Sequence, residues 1–396
     1  MGKVVILMMD SFGVGGAKDA CLFGDEGANT FFHIQEKYKE LEIPNLEKLG
    51  LAKVLEMASG KKCCLKKSKA QVSLGCKFGV LREKSRGKDT ISGHWEMAGV
   101  PVFEEFGHFK LDYPSFPNEM IEKICKRGEI EGILGNKAHS GTVIIQELGE
   151  EHLETMKPIF YTSQDSNLQI AAHEEKFGLE RLYKLCEIAF EEVRPYNIAR
   201  VIARPFVGKK SGEFVRTKNR KDYAVEPCGK TVLEKVKESG RDVIGIGKIP
   251  DIFAHIGFTK EVKASGLEEL WNKTLEEIKA LQGDGIVFTN FVDFDMNWGH
   301  RRDVVGYAEG LQYFDKRLVE IEEVLGEDDI CFITADHGCD PTFCGSDHTR
   351  ECVPVLMFGR KVRDENLEIR DGFSDIAETI ALYFGVEGFE GAKGFL

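Results

Sequence analysis

The sequence lacks the features that mark membrane and secreted proteins. Its 396 residues contain no run of 18 or more apolar residues, so it offers no candidate membrane-spanning helix. The apolar run over residues 4–9 ends at Asp10 and is too short for a secretory signal peptide. Ile6 stands where N-myristoylation requires Ser or Thr. These absences predict a cytoplasmic protein without a membrane partner.

Cysteine pairs, excess positive charge and repeats are missing as well. The chain has eleven cysteines but no Cys-x-x-Cys pair, which fits reduced thiols rather than a disulfide framework. Its net charge of −13 argues against a nucleic-acid partner, because phosphate backbones are bound by basic faces. Neither an internal repeat nor a low-complexity segment is visible. We therefore expect a globular protein acting on a small molecule, with no obligatory protein partner.

What the sequence does contain is an alternation of strands and helices. Apolar, β-branched runs predict strands at residues 4–9, 243–246, 286–292, 330–334 and 353–358. Amphipathic stretches predict helices at residues 231–239, 267–281, 304–325 and 376–384. This order predicts an α/β fold with a mostly parallel sheet flanked by helices.

The middle of the chain has a different pattern. Pro114 and Pro117 precede a charged helix that runs to about Arg127, and mixed helical and apolar segments follow. We interpret residues 105–225 as an inserted α+β cap domain. Residues 1–104 and 226–396 would then form a metal-binding catalytic core.

Acidic and imidazole side chains follow the predicted strands. Asp10 follows the first strand, and Asp336 and His337 follow the strand at residues 330–334, with His348 on the next loop. Ligands of open α/β sheets bind at the carboxyl ends of strands, and divalent ions accept this mixture of oxygen and nitrogen ligands. Gly338 is expected to allow a tight turn. The alternative is that Asp336 caps a helix and His337 is a loop histidine.

A second cluster lies at residues 290–303. Alternation in an extended strand would put Asp293 and Asp295 on one side, and a short loop would let Asp295 and His300 bind a metal together. Asp303 is the expected N-cap of the following helix, which leaves Asp295 available as a ligand. Cysteines near the metal candidates keep a zinc site open as an alternative; they are Cys339, Cys344 and Cys352.

Two further segments suggest a nucleophile and an anion site. Residues 87–99 are rich in glycine and polar groups and begin a helix near Ser92, so Thr90 or Ser92 is a candidate nucleophile, or simply an N-cap.

From residue 200 to 221 there are eight basic residues and a single acidic one, Glu213, which favours a phosphate site or a solvated surface. A Gly-x-Gly-x-x-Gly dinucleotide motif is missing from the glycine-rich loop after Asp10.

Together these segments resemble the alkaline phosphatase superfamily and, within it, the bacterial phosphopentomutases. The resemblance rests on Asp10, GKDTISGHWE at residues 87–96, DFDMNWGHRRD at 293–303, Asp336 to Gly338, and His348. It continues through residues 161–166, 171–174, 202–206 and 247–252, and so spans the chain from first strand to last helix.

The resemblance implies an isomerase of nucleoside catabolism with two Mn²⁺ ions per subunit. Asp10, Asp336 and His337 would hold one ion, next to Thr90, and Asp295, His300 and His348 the other. Thr90 would carry a phosphoryl group, primed by a sugar bisphosphate. Ribose 1-phosphate or 2-deoxyribose 1-phosphate would be interconverted with the 5-phosphate through a 1,5-bisphosphate. The implied substrate contacts are Asp165, Ser166, Arg200, Arg204, Arg216 and Lys248.

Two other functions remain open at this point. A metal-dependent phosphatase or a phosphoglycerate mutase of the same superfamily would share the metal ligands. A non-catalytic, metal-stabilised sugar-phosphate-binding protein would need those ligands but not Thr90.

Overall fold

The computed structural model of the chain describes residues 2–104, 106–163 and 166–396. Its strands are β1 (Lys3–Met8), β2 (Gly75–Arg82), β3 (Leu134–Ala138), β4 (Ile159–Thr162), β5 (Asn167–His173), β6 (Arg200–Val207), β7 (Val215–Arg216), β8 (Lys221–Ala224), β9 (Asp242–Ile246), β10 (Lys260–Val262), β11 (Gly285–Asn290), β12 (Ile330–Thr334), β13 (Val353–Gly359) and β14 (Glu365–Asp371). Its α-helices are α1 (Thr30–Lys37), α2 (Pro44–Lys48), α3 (Leu51–Ser59), α4 (Thr90–Met97), α5 (Asn118–Arg127), α6 (Gly141–Thr155), α7 (Leu179–Val193), α8 (Val232–Glu238), α9 (Ile249–Ile252), α10 (Leu267–Ala280), α11 (Val304–Val324) and α12 (Ser374–Phe384). Short 3₁₀ turns cover Ala20–Phe23 and Arg194–Tyr196, and π-helical turns cover Glu174–Gly178 and Phe294–Gly299.

These elements form two compact units. The first comprises Met1–Glu104 and Pro227–Leu396, and the second comprises Glu105–Glu226. In the described part of the chain, no helix has the length and apolar character needed to cross a membrane.

The first unit contains a sheet in the order β10-β9-β11-β1-β12-β13-β2-β14. Strand β13 runs antiparallel to both neighbours, β12 and β2, while the other neighbouring pairs are parallel. Every residue of β11 and β12 is buried, so helices and loops cover both faces of the sheet there. Helix α10 packs on β9 and β11, and α3 packs on β2 and β13. The predicted α/β class with a mostly parallel sheet is confirmed.

The register of three adjacent strands positions the site. Met8 of β1 pairs with Asn290 of β11 on one side and with Thr334 of β12 on the other. Parallel strands in register end at the same edge of a sheet. The residues that follow these three strands therefore meet at one place, and the neighbouring strand β9 brings Lys248 to the same edge.

The second unit contains a sheet in the order β3-β4-β5-β6-β7, with β8 also paired to β6. Its side chains alternate between two apolar clusters, as strand geometry requires. Phe160 and Ile170 belong to the cluster that includes α5 and α7, whereas Tyr161 and Ala171 belong to the cluster that includes α6. The second unit thus combines helices with a mixed sheet, while its bounds as a domain and its role as a cap stay predictions.

One local prediction about a strand was wrong. Strand β11 ends at Asn290, and Asp293 has helical backbone angles (φ −60°, ψ −34°) at the start of the π-helical turn. The pairing of β1 with β11 stops at Asn290, so no strand ladder extends the backbone beyond it. Asp293 and Asp295 therefore do not share one side of a strand.

The start of helix α4 also differs from the prediction. It begins at Thr90, and the N-cap is Asp89, whose carboxylate accepts hydrogen bonds from the backbone N–H groups of Ile91 and Ser92. An aspartate caps a helix well because its short side chain reaches these free amides. The Thr90 hydroxyl is thereby released from a capping role. By contrast, the predicted cap of α11 is confirmed, since Asp303 accepts from the amide of Gly306.

Candidate metal centre

The first group of the site comes from the ends of β1 and β12. His337 Nε2 lies 3.5 Å from Asp10 Oδ1 and 3.2 Å from Asp336 Oδ2. All three side chains are buried. Asp10 Oδ2 accepts from the side-chain amide of Asn290, and Asp336 Oδ1 accepts from the amide of Ser11, so one oxygen of each carboxylate is fixed.

The second group comes from the π-helical turn after β11 and the loop before β13. Asp295 Oδ2 lies 3.3 Å from His300 Nε2, and its Oδ1 lies 3.4 Å from His348 Nε2. The rings of His337 and His348 stack with centroids 3.9 Å apart, so the two groups adjoin. The structure thus brings all six predicted metal ligands together.

Ligand atoms within 4.8 Å of one another form two sets, Asp295 with His300 and His348, and Asp295 with Asp10 and His337. Asp295 belongs to both sets, whereas the prediction gives it to one ion. The division of ligands between individual ions stays a prediction.

The hydrogen bonds of the three histidines set their tautomers. Each Nδ1 faces a backbone carbonyl oxygen: Gly338 for His337 at 3.1 Å, Ser346 for His300 at 2.6 Å and Lys88 for His348 at 3.1 Å. A proton on each Nδ1 satisfies these contacts and turns the Nε2 lone pair toward the cluster. Metal-bound histidines are oriented in this way.

With these tautomers, the Nε2 atoms of the histidines and the carboxylate oxygens are all hydrogen-bond acceptors, and they face one another. His300 Nε2 and His348 Nε2 are 3.1 Å apart. Asp10 Oδ1, Asp295 Oδ1 and Asp336 Oδ2 are buried without a hydrogen-bond partner among the described residues. Lone pairs held so close in a buried site repel one another unless a cation lies between them. The residues therefore fit a divalent metal ion with mixed oxygen and nitrogen ligands.

The pKa shifts show the same excess of negative charge. Burial, together with the charges of Asp336 and Asp295, raises the pKa of Asp10 well above its ordinary value. Burial alone would lower the pKa of His337, but the surrounding carboxylates, Asp336 first, outweigh it and raise that pKa. Lys248 is near enough for its charge to oppose the shift of Asp10.

Thr90 lies beside the first group of ligands. Its Oγ1 is 3.4 Å from His337 Nε2, and the side chain is buried with 6% of its surface exposed. The other candidate nucleophile, Ser92, donates its hydroxyl proton to Asp89 Oδ2 at 2.8 Å. The structure therefore places Thr90, the hydroxyl that the resemblance implies, next to the candidate ligands.

The predicted arginines lie on the sheet of the second unit. Arg204 donates from Nε to Gln169 Oε1 at 3.0 Å, and Arg216 donates to the Tyr161 hydroxyl at 2.9 Å. Burial, aided by the positive charge of Arg220, lowers the pKa of Arg204 to about 10. Arg200 and Arg216 each have a buried Nε without an acceptor in the described chain. This surface has surplus donors, which suit an anion.

The remaining predicted substrate contacts are less informative. The Ser166 hydroxyl donates to the carbonyl of Gly107 at 2.5 Å and accepts from the amide of Ala199 at 2.9 Å, so it holds two backbone segments together. Asp165 lies outside the described residues.

Comparison with known proteins assigns the chain to a family. The model of the Metalloenzyme superfamily matches residues 2–388. The phosphopentomutase of Elusimicrobium minutum is 59% identical to this chain, and that of Shewanella loihica is 54% identical, each over the whole of both chains. The phosphopentomutase of Actinobacillus succinogenes is 54% identical over 98% of each chain. The chain belongs to the phosphopentomutase family.

Membership of the phosphopentomutase family decides several predictions. The resemblance given by the motifs is confirmed, and so is the class of enzyme, an isomerase. The metal-binding character of the site is confirmed at the level of the superfamily. The identity of the ion and the role of each ligand stay predictions.

Sequence reasoning missed Glu351, which supports the loops that carry candidate metal ligands. This buried carboxylate accepts from the amides of Gly15 and Thr30 and from the Thr349 hydroxyl. A Cβ on Gly338 would lie 2.4 Å from Glu351 Oε1. The absence of a side chain at Gly338 thus leaves room for the Glu351 carboxylate. A lone Glu before a strand gives no signal of this role.

Arg350 is a second residue that the sequence did not reveal. It is 3% exposed and donates to Asp19, to Glu83 and to the carbonyl oxygens of Ser85 and Gly87. Residues 83–87 lead directly to Thr90, and Arg350 follows the loop that carries His348. Arg350 therefore fixes the segment that carries the hydroxyl relative to a metal-ligand loop.

Proposed function

We propose that this chain is a phosphopentomutase that interconverts ribose 1-phosphate, or 2-deoxyribose 1-phosphate, with the corresponding 5-phosphate. The observation that carries the proposal is the position of the Thr90 hydroxyl, 3.4 Å from His337 Nε2 and beside a cluster of unsatisfied carboxylate oxygens. Relatives at 52–59% identity carry the name phosphopentomutase. The proposed setting is the cytoplasmic breakdown of nucleosides.

In the proposed reaction, Thr90 carries a phosphoryl group. Its P–O bond to Thr90 Oγ1 breaks as the free hydroxyl of the sugar phosphate forms a new bond to phosphorus. The proton of that hydroxyl passes to Thr90 Oγ1, and the product is an enzyme-bound 1,5-bisphosphate. After the sugar reorients, its other phosphoryl group returns to Thr90 Oγ1. A sugar bisphosphate from solution primes Thr90 at the start. In-line transfers of this kind depend on positioning and on charge neutralisation.

The chain's own residues supply the positioning. Asp89 caps α4 and so fixes Thr90 as the first residue of the helix. We assign Asp10, Asp336 and His337 to one cation, and Asp295, His300 and His348 to the other. Divalent cations there, which we propose to be two Mn²⁺ ions, supply Lewis-acid neutralisation of the transferring phosphoryl group.

The proposed substrate contacts are Asp165, Ser166, Arg200, Arg204, Arg216 and Lys248. The arginines offer forked donors, which suit a phosphate group. The second unit is the proposed cap, and exclusion of water by a cap favours transfer between hydroxyls over hydrolysis.

The test compares two hydroxyl variants from the first turn of α4, Thr90→Ala and Ser92→Ala. Protein with Mn²⁺ is primed with ribose 1,5-bisphosphate, analysed by intact mass, and then given ribose 1-phosphate while ribose 5-phosphate is followed by ³¹P NMR. We expect Thr90→Ala to gain no phosphoryl group and to lose roughly 10⁴-fold or more in rate, as for other nucleophile deletions. The Ser92→Ala protein should still be phosphorylated, since the Ser92 hydroxyl donates to Asp89, the N-cap of α4, and does not face the ligands.

Two results would contradict the proposal. Phosphoryl transfer to the Thr90→Ala protein would show that Thr90 is not the acceptor. Release of inorganic phosphate without ribose 5-phosphate would favour a phosphatase, and turnover of phosphoglycerate alone would favour a phosphoglycerate mutase.

A further inference from the structure

His94 is a buried histidine beside the candidate metal ligands, and the proposed reaction gives it no role. It lies in α4, four residues after Thr90, and its side chain is completely buried. Residues four apart lie on the same face of a helix, so the imidazole is stacked under the Thr90 turn. His94 therefore lies between helix α4, which carries the Thr90 hydroxyl, and the residues that pack on this face of the helix.

The group that packs there is a metal-ligand candidate. His94 Nδ1 lies 2.8 Å from the carbonyl oxygen of Thr90 and 3.1 Å from Asp336 Oδ2. Both neighbours are acceptors, so Nδ1 carries the proton. It donates to the Thr90 carbonyl oxygen and at the same time faces Asp336 Oδ2 as a close polar contact. Asp336 Oδ2 is also the oxygen that faces His337 Nε2, while its Oδ1 is held by the amide of Ser11. His94 Nδ1–H thus faces a candidate ligand oxygen that has no hydrogen-bond partner within the described chain.

The rest of the imidazole has no polar function. Nε2 is buried without a hydrogen-bond partner among the described residues. The ring lies between Phe288, with centroids 6.0 Å apart and planes at 23°, and Phe253, at 6.4 Å and 72°. A buried acceptor left unsatisfied in an apolar pocket destabilises the fold. An apolar side chain of similar size would avoid that cost, so the reason for a histidine here must lie at Nδ1.

The backbone shows the same close contact between α4 and Asp336. A Cβ on Gly93 would lie 2.1 Å from the carbonyl oxygen of Asp336. Helix α4 therefore rests directly on the ligand loop at Gly93, and the next residue along the helix reaches the carboxylate of the same aspartate. The distance between Thr90 and the ligands depends on this contact.

We propose that His94 is a positioning residue: its Nδ1–H donates to the Thr90 carbonyl oxygen and attracts the nearby Asp336 Oδ2, so that the Thr90 hydroxyl and the metal ligands keep their spacing. This rests on the proposed function for the role of Thr90, but the contact to Asp336 does not depend on it. Hydrogen bonds to ligating carboxylates change metal affinity by about 10–100-fold in other metalloproteins.

The experiment uses two variants that differ at the position of Nδ1. In His94→Asn, the side-chain amide nitrogen occupies the place of Nδ1 and can donate to Asp336. In His94→Leu, an apolar group of similar size replaces the ring and removes the donor. Both are measured first by Mn²⁺ titration calorimetry without any sugar, and then by the rate of phosphorylation of Thr90 by ribose 1,5-bisphosphate, read by intact mass at saturating Mn²⁺.

We expect His94→Leu to bind Mn²⁺ about 10–100-fold more weakly and to be phosphorylated more slowly even at saturating Mn²⁺. His94→Asn should recover most of both losses. Wild-type behaviour of His94→Leu would overturn the proposal. Equal losses in both variants, at unchanged melting temperatures of the metal-free proteins, would overturn it as well, because the ring and not its N–H would then matter.

The calorimetric result is independent of the reaction. If wild-type protein never gains a phosphoryl group, the proposed function fails, while the Mn²⁺ affinities of the two variants still decide the role of His94. If wild-type protein isomerises ribose 1-phosphate but the variants bind Mn²⁺ as it does, the positioning role fails alone.

Discussion

The two units carry opposite imbalances of hydrogen-bonding groups. The strand-end cluster of the first unit has surplus acceptors; it consists of Asp10, Asp295, His300, Asp336, His337 and His348. The arginine surface of the second unit has surplus donors; it consists of Arg200, Arg204 and Arg216. In the arginine surface, however, neutral partners such as Tyr161 and Gln169 already satisfy part of the guanidinium groups.

This difference indicates how far each surface depends on a ligand. Buried carboxylates that face each other and imidazole lone pairs are destabilising until a cation neutralises them. Guanidinium groups bonded to neutral side chains remain partly satisfied without an anion. We therefore expect the cation to matter for the stability of the first unit, and the anion to matter mainly for substrate affinity.

The largest effect is expected from Asp295→Asn, because Asp295 belongs to both sets of ligand atoms. Mn²⁺ at 100 times its dissociation constant stabilises a folded protein by about 2.7 kcal/mol. In Asp295→Asn this stabilisation should disappear, and Mn²⁺ affinity should fall by more than about 100-fold, beyond the usual effect of residues that only support ligands. Thermal unfolding with and without Mn²⁺ measures both.

Asp293→Asn is the matched control. Asp293 is a buried carboxylate two residues away, bonded to the Asn297 amide and absent from both sets of ligand atoms. Its variant should keep the Mn²⁺-dependent rise in melting temperature. An equal loss of this rise in Asp295→Asn and Asp293→Asn would mean that Asp295 is no more important for Mn²⁺ binding than a neighbouring carboxylate.

A smaller effect is expected from Arg216→Met in the second unit. Loss of a charge-assisted hydrogen bond to phosphate costs about 1.5–3 kcal/mol, so KM for ribose 1-phosphate should rise roughly 10–100-fold. Mn²⁺ affinity should not change, since Arg216 is absent from both sets of ligand atoms found among the described residues. The measurements are steady-state kinetics and calorimetry on the same preparation.

Arg127→Met is the control for that prediction. Arg127 belongs to the same unit but pairs at the surface with Glu191 and Glu192, where ion pairs contribute little. It should leave KM unchanged. A shift in Mn²⁺ affinity in Arg216→Met, without a shift in KM, would contradict the assignment of phosphate to the arginine surface.

The smallest predicted effect is a difference in pH dependence between two histidines. The bond from His33 Nδ1 to Asp340, at 2.5 Å, raises the pKa of His33 above its ordinary 6.5. Its stabilising contribution is therefore full below pH 6.5 and is lost as pH rises through the raised pKa. His33→Gln should cost about 1 kcal/mol at pH 5.5 and less at pH 9, measured by urea unfolding in EDTA.

His152 of the second unit should show the opposite sign. Burial lowers its pKa, and its neutral ring donates to the Lys157 carbonyl while accepting from the His173 amide. Its contribution is full above pH 6.5 and shrinks as pH falls, so His152→Gln should cost more at pH 9 than at pH 5.5. The same pH trend in both variants would contradict the pairing of His33 with Asp340.

Local patterns predicted much of the site because its ligands follow strands directly. Asp10 and Asp336 each stand two residues beyond the last residue of a strand, and parallel pairing brings such positions together. Residue type and spacing also predicted Asp303 as a cap. By contrast, the extended backbone expected at Asp293 required a neighbouring strand, and that neighbour had already ended.

The sequence by itself determined the α/β class, the six ligand candidates and the family, since each depends on residue type and local spacing. The family resemblance already pointed to Thr90, and the tertiary structure adds that the Thr90 hydroxyl lies beside His337 while the Ser92 hydroxyl donates to Asp89. The tertiary structure alone revealed His94, Arg350 and Glu351, whose roles depend on contacts with residues distant in the chain. Hydrogen bonds between distant segments leave no periodic pattern in a single sequence, so such supporting residues become visible only when the chain is folded.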